Sequence, residues 1–287
     1  MVVQGRRLEP DDIEGIRRLM ADHPQWSRRR ISEALAAEWD WRNGAGRLKD
    51  MAARALLLKL EARGLIRLPA RRRAASSRMA SRRPRPVGWD RRPIRGRLAD
   101  LGPLEIREVS GDESAREELA SALAEFHYLG HRGTVGENLQ YAVRCGRGRF
   151  LAGALFGAAA WKCGARDRWI GWSPKERARG LHLLTNNTRF LVAPWVEVPH
   201  LASWTLGRVL RRLSADWRRK YGHPVLLVET FVEAGRFAGT CYRAANWVRV
   251  GATAGRGRQD RDRRLRVPAK DVYLYPLGRD VRRGLRR

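Results

Sequence analysis

Six side chains stand where chemistry could be done: His127, Tyr128, Asp167, Glu229, Tyr242 and Asn246. His127-Tyr128 falls at the predicted end of a helix, just before Gly130, a residue suited to a helix C-cap. There a histidine base and a phenol would face a cleft. The plain alternative is a histidine that packs, or that caps the last carbonyls. Tyr128 and Tyr242 could each attack a phosphodiester and form a covalent link to DNA. That needs a neighbour to lower the phenol from its ordinary pKa of about 10. Otherwise the two rings stack on bases or hydrogen-bond. Asp167, flanked by Arg166 and Arg168, and Glu229 are two carboxylates of the kind that hold Mg2+ for phosphoryl transfer. Glu137 is the third acid available. In the plain alternative Asp167 pairs with a nearby arginine and Glu229 takes backbone amides. The apolar run Pro224–Val228 leads into Glu229, and a short helix then carries Tyr242 and Asn246. A carboxylate at a strand end beside a polar helix is a common way to build a site on a rigid scaffold. All six are expected to converge on one cleft at the ends of the central strands.

Around these residues lie groups suited to nucleic acid. Trp161, Trp169, Trp172, Trp195 and Trp247 are dense for one domain and interleave with arginine, as stacking on unpaired or flipped bases requires. At least half of them are expected to be core. Asn186, Asn187 and Arg189 precede an apolar strand and are placed to reach a base edge or a phosphate. Arg256 and Arg258, in a glycine-arginine run, and the basic tail to Arg287 read as phosphate contacts.

The charge supports the same class of partner. The chain has 287 residues, a net charge of +29 and a pI near 11.5, far from the range of a metabolic enzyme. A polyanion is the natural partner. Only six of the 59 basic residues are lysine, which a GC-rich genome would also produce. Codon bias alone would bring matching acids, and here there are only 30. Double-stranded DNA, and single-stranded DNA with it, is the expected partner. Cys145, Cys163 and Cys241 are widely spaced and form no Cys-x-x-Cys pair, which points to a reducing cytoplasm. No lipidation motif, leader-like apolar run or membrane-length segment is visible, so no membrane partner is expected.

The chain reads as three parts. Residues 1–69 carry helical apolar stripes at Ile13, Ile16, Leu19 and Met20, at Ile31 and Leu35, and at Ala52, Ala55, Leu56 and Leu60. The turn at Asn43–Gly46 separates the last two. With a short strand expected over Leu65–Pro69, this is the plan of a winged helix-turn-helix, with Arg47, Lys49 and Arg54 at the start or on the outer face of the third helix for major-groove contact. A plain three-helix accessory domain fits the same pattern. Residues 70–97 hold eleven arginines and one aspartate and read as a linker. Arg71, Arg72, Arg73, Arg82 and Arg83 would lie along phosphates there; a solvated spacer is the alternative. Residues 98–287 read as one α/β domain. Its strands are expected at 104–109, 139–143, 150–156, 190–193, 225–229 and 273–275, and its helices at 114–128 and 201–221.

Several of these segments carry a family resemblance. They are Phe126-His127-Tyr128-Leu129-Gly130, Val135-Gly136, Arg166–Trp172, Asn187–Trp195, Leu201-Ala202-Ser203, Asp216-Trp217 and Glu229–Arg258. Their ordered set resembles the family of the Druantia anti-phage protein DruA over about residues 105–260. Two segments depart from the family's pattern: where Asn-Leu-Ala-Ser-His is expected the chain reads His200-Leu201-Ala202-Ser203-Trp204, and where an aspartate is expected it has Glu233. The resemblance implies action on DNA, in phage defence or transposition, with other proteins of that system as partners and a homodimer as one arrangement. Three activities stay open: phosphodiester cleavage or strand transfer, a non-catalytic DNA-binding subunit that recruits a helicase or nuclease, and a group transferase acting on bases. In strand and helix order alone, the α/β domain resembles the acyltransferase fold of the GNAT superfamily, giving a GNAT-like mixed-sheet α/β domain. The glycine loop that cradles the coenzyme pyrophosphate in that superfamily has no counterpart between Pro194 and Leu201, so acetyl-CoA is not expected as a cofactor.

Overall fold

A computed structural model of the protein describes residues 2–3, 6–42, 46–71, 83–255 and 268–286. Arg72, Arg73, Arg82, Arg256 and Arg258 lie outside the described residues. The chain divides into two compact units, Met1–Ser76 and Ser77–Arg287. Among the described residues, no helix is long and apolar enough to cross a membrane.

In the first unit, β1 (Val2–Val3) pairs antiparallel with β2 (Arg6–Arg7). Three helices follow: α1 (Pro10–Asp22), α2 (Arg28–Glu38) and α3 (Asp50–Glu61). Ser27 caps α2 by accepting from the Arg30 N–H at 3.2 Å. Ile16, Ile31, Leu35, Leu56, Leu57 and Leu60 meet in a dry core. The strand expected over 65–69 is not formed. Ile66 and Leu68 are buried there, but side chains replace a strand partner. Arg17 donates to the Leu65 carbonyl and Arg28 to that of Pro69, while Glu61 accepts from the Leu68 N–H. Arg47 and Lys49 lie at the start of α3, and Arg54 lies in its first turns. Arg47 is exposed, whereas Lys49 and Arg54 are half-buried, and burial pushes the Lys49 ammonium down. The exposed positions inside α3 include Met51 and Leu58, which are apolar.

The second unit is built on a seven-stranded sheet. Its elements are β3 (Ile94–Arg95), β4 (Glu105–Glu108), α4 (Glu113–Phe126), β5 (Leu139–Arg144), β6 (Phe150–Ala158), α5 (Gly164–Ile170), α6 (Pro174–Gly180), β7 (Leu184–Val192), β8 (Val196–Glu197), α7 (Leu201–Tyr221), β9 (Leu227–Glu233), α8 (Thr240–Ala244), β10 (Val248–Ala252), β11 (Lys270–Pro276) and α9 (Val281–Leu285). The sheet order is β10-β11-β9-β7-β6-β5-β4, and β3 pairs with β8 apart from it. Every neighbouring pair in the sheet is antiparallel except β7 and β9, which α7 connects as a crossover. The protein is thus mixed α/β with a mixed sheet.

Two stretches differ from the sequence reading. β7 begins at Leu184, so Asn186 and Asn187 sit inside a strand. The 89–97 part of the expected linker is packed: Trp89 packs against Phe126, Phe150 and Trp195, and β3 pairs with β8. One aromatic and one isoleucine supply the apolar anchors that this arginine-rich run otherwise lacks.

One alternation in β9 decides where functional groups fall. Val228 and Val232 pack with Leu206, Val209, Leu210 and Leu213 of α7, while Leu227 and Phe231 pack with Ala165 and Ile170 of α5. Successive strand residues point to opposite sheet faces. Glu229 therefore faces the α5 side, and Thr230 faces the α7 side. Helix α7 is tied to the sheet by buried Asp216, which accepts from Tyr141 Oη at 2.8 Å, Arg212 Nε at 2.6 Å and Arg219 Nη2 at 2.8 Å.

Candidate functional site

Among the described residues, the one parallel pair in the main sheet is also the shortest ladder around the crossover. β7 and β9 pair over Leu184–Asn186 and Leu227–Glu229, and one more link, Thr230 Oγ1 to the Asn187 carbonyl at 3.0 Å, closes the pairing. Beyond it lies a cleft of about 570 Å³ between residues 187–192 and 230–232. The turn at 126–129 and the segment 236–242 complete its walls. The carboxyl end of adjacent parallel strands is the usual place for a ligand in an α/β sheet, because the strands fix the side chains around it.

The floor is a closed hydrogen-bond set. The Asn187 amide donates to the carbonyls of Leu155 and Arg189 at 3.2 and 3.0 Å, and Oδ1 accepts from Tyr242 Oη at 2.8 Å. Asn187 is therefore a structural tie and not the base-edge reader expected from sequence. Tyr242 is buried against Trp247 and Tyr273, and burial pushes its phenol far above the ordinary range. It is not an activated nucleophile. Tyr242→Phe is expected to cost about 1–3 kcal/mol of stability, because Asn187 Oδ1 is left buried without a donor. Urea unfolding of the variant measures this. Gly239 precedes α8 at φ +66°, and a Cβ there would meet Tyr273 Oη at 2.5 Å, so the entry to α8 requires glycine.

The rim is cationic and aromatic. His127 caps α4, and its Nδ1 accepts from the Leu129 N–H at 3.1 Å. Burial, and then the nearby Arg189, lower the His127 pKa to about 4. The ring is thus neutral near pH 7 and carries its proton on Nε2. With Nδ1 occupied by the Leu129 N–H, the ring is not placed as the general base expected from sequence. Tyr128 stacks on His127 and meets Phe237 at 5.0 Å; burial and then Glu233 push its phenol up, so it too lacks activation. Arg236 lies over the Tyr128 ring at 4.7 Å and the Phe237 ring at 5.5 Å. Arg189 donates from Nε to the Gly130 carbonyl at 2.9 Å and from Nη1 to that of Thr188 at 2.7 Å, which pins the turn to β7. Among the described residues, neither Arg189 nor Arg236 has a carboxylate partner, and no acid lines the cleft.

The depressed histidine has a measurable consequence. Its unfolded pKa is about 6.5, so on acidification the unfolded chain binds the proton first. The stability contributed by His127 is present above about pH 6.5 and is lost as pH falls toward 4. A wild-type urea midpoint at pH 4.5 is expected to fall further from its pH 7.5 value than that of His127→Gln.

The remaining expected site residues lie elsewhere. Arg166, itself fully buried, donates from Nη1 to Glu229 Oε2 and from Nη2 to Asp167 Oδ1, both at 2.8 Å. The Ala160 N–H donates to Glu229 Oε1 at 2.6 Å, and Trp172 Nε1 donates to Asp167 Oδ1 at 3.1 Å. The two carboxylates do not fit a Mg2+ ion, because Arg166 bridges them and already supplies the countercharge. Glu137 instead pairs with His223 at 3.0 Å. Among the described residues, no group of three His, Cys, Asp or Glu side chains is placed to hold a metal. Asn246, at φ +63°, lines a separate groove with Trp204, Arg208 and Arg211. Trp172, Trp195 and Trp247 are core residues, and half-buried Trp169 is covered by Arg282 at 4.2 Å, so these rings are not open stacking platforms. Of the six expected residues, His127, Tyr128 and Tyr242 share the cleft.

Sequence reasoning missed Arg236 and Phe237. The signal was the segment Gly235-Arg-Phe-Ala-Gly239: an aromatic bounded by glycines has neither strand nor helix to bury it. Phe237 remains 43% exposed.

Comparison with known proteins places the chain in a family through one match. No curated protein matches the chain. Among solved structures it is similar to the spermidine/spermine N-acetyltransferase SpeG of Vibrio cholerae, with a TM-score of 0.40 and 8% identity over 61% of this chain and 92% of that one. It is also similar to a GNAT superfamily phosphinothricin acetyltransferase of Sinorhizobium meliloti, with a TM-score of 0.40 and 11% identity over 61% and 89% of the two chains. No substrate or activity follows from these likenesses. The family model described as Druantia protein DruA matches residues 59–266, which take in the whole cleft and the segment of Arg236 and Phe237. The chain belongs to the Druantia protein DruA family, a family associated with antiviral defence.

Proposed function

We propose that this protein binds DNA and takes one unpaired nucleotide into the β7–β9 cleft. One observation carries the reading: two arginines without a carboxylate partner stand at an acid-free cleft beside the Tyr128 and Phe237 rings. The half-buried Arg189 guanidinium loses hydration without gaining a counter-ion, and a phosphate restores the balance, with the exposed Arg236 adding a second charge at the rim. A base stacked on an exposed aromatic gains about 1–3 kcal/mol, and does so whatever its identity. A base inside a duplex cannot enter such a cleft without leaving its stack, so unpaired DNA is the favoured form. The net charge of +29 supplies the long-range attraction. Strand cleavage would need an activated phenol or a metal, and Tyr128, Tyr242, Asp167 and Glu229 provide support for neither. Binding is therefore the function proposed.

The test is fluorescence anisotropy with a single-stranded oligonucleotide and with a blunt duplex of the same length. The single strand is expected to bind more tightly to the wild-type chain. Phe237→Ala is expected to weaken it by about 5- to 100-fold while leaving duplex affinity nearly unchanged. A duplex preference in the wild type, or a Phe237→Ala variant that loses nothing, would overturn the reading.

A further inference from the structure

A second concavity adjoins the cleft. It has a volume of about 440 Å³ and shares Leu129, Thr188 and Arg189 with the cleft wall. Its outer side is Gly130-His131-Arg132-Gly133-Thr134-Val135, part of a loop that runs on to Gly136. Glycines recur at every third position, with φ of +58°, +119° and +74° at Gly130, Gly133 and Gly136. In that region of φ a side chain is strained, so the glycines allow the loop to turn repeatedly without forming a helix or strand. The N–H groups of residues 132–136 donate to no protein acceptor among the described residues. Arg132 is exposed, has no carboxylate partner among the described residues, and lines this concavity together with Arg189. No acid lines the space.

Successive unpaired backbone N–H groups in such turns make anion-binding concavities, and a guanidinium adds charge and directed donors. We infer that the Gly130–Gly136 loop, with Arg132 and Arg189, binds the phosphodiester adjoining the nucleotide held in the cleft. The ligand is then a strand and not a free nucleotide, and Arg189 is the shared wall between its base-binding and phosphate-binding halves. This inference rests on the cleft reading proposed above.

The experiment uses the full chain and 2-aminopurine, whose fluorescence falls when it stacks. The probes are the 2-aminopurine deoxynucleoside and two dinucleotides, extended by thymidine on the 5′ or the 3′ side. One dinucleotide is expected to bind about tenfold more tightly than the nucleoside. Arg132→Ala and Gly133→Ala are each expected to remove most of that gain without changing nucleoside affinity. Equal binding of nucleoside and dinucleotides, or a gain that survives in both variants, would overturn the inference and leave the cleft reading standing. If no probe is quenched by the wild-type chain, the cleft reading fails and this inference falls with it.

Discussion

Replacing Arg166 with alanine is expected to destabilise the larger unit by about 3–5 kcal/mol, the range for removing one partner of a buried ion pair. Arg166 and Glu229 are both fully buried, and no water reaches either to replace the lost partner. The change leaves Glu229 with only the Ala160 N–H, while burial already pushes its carboxyl up. It also leaves the Ala160 carbonyl without the Arg166 Nη1 donor at 2.7 Å. Urea unfolding at pH 7 measures the loss. Adding Glu229→Gln should recover part of it, since a neutral amide needs no counter-ion. A loss below about 1 kcal/mol would show that solvent relaxes into the site.

DNA affinity is expected to fall by about a thousandfold or more between roughly 50 and 200 mM salt, as it does when six or more phosphates are neutralised. The motivating feature is the excess of 59 basic over 30 acidic residues, with eleven arginines in residues 70–97. Four of these arginines already have acidic partners in the structure. Arg91 pairs with Glu125, Arg92 with Asp90, Arg95 with Glu197 and Arg97 with Asp100. Changing Arg71, Arg72, Arg73, Arg78 and Arg82 to serine is expected to flatten the log–log salt slope by about 0.9 for each duplex phosphate that these side chains neutralise. Anisotropy titrations across four salt concentrations measure it. An unchanged slope would show that these arginines touch no phosphate.

Much of the second unit was legible because its core elements obey simple periods. Helix α7 spans Leu201–Tyr221 as expected from the sequence, and the β5–β6 hairpin falls around Gly146 and Gly148. The start of β7 was not legible, because Thr185, Asn186 and Asn187 are polar. Their burial is possible because Thr185 Oγ1 and the Asn187 amide bond to β6 carbonyls. Half of the site was legible for a related reason. His127, Tyr128, Asn187, Arg189 and Tyr242 stand in motifs, and their strands and turns meet at one cleft. Glu229 sits one residue before Thr230, and the two-residue period of a strand sends it to the opposite face, where Arg166 awaits it. Sequence proximity to a site could not reveal that. The roles of His127 and Tyr242 were also hidden, because each is set by a single partner, the Leu129 N–H and Asn187 Oδ1, that only the folded chain supplies.

The central claim is that an unpaired base enters the β7–β9 cleft. Photocrosslinking tests it most directly, with the full chain and a single-stranded oligonucleotide carrying 5-iododeoxyuridine, followed by peptide mass spectrometry. The account predicts a major adduct on Tyr128 or Phe237, reduced strongly in the double variant Tyr128→Ala/Phe237→Ala and competed by unlabelled single strand more than by duplex. Adducts confined to other segments, with none in residues 126–129 or 236–242, would contradict it.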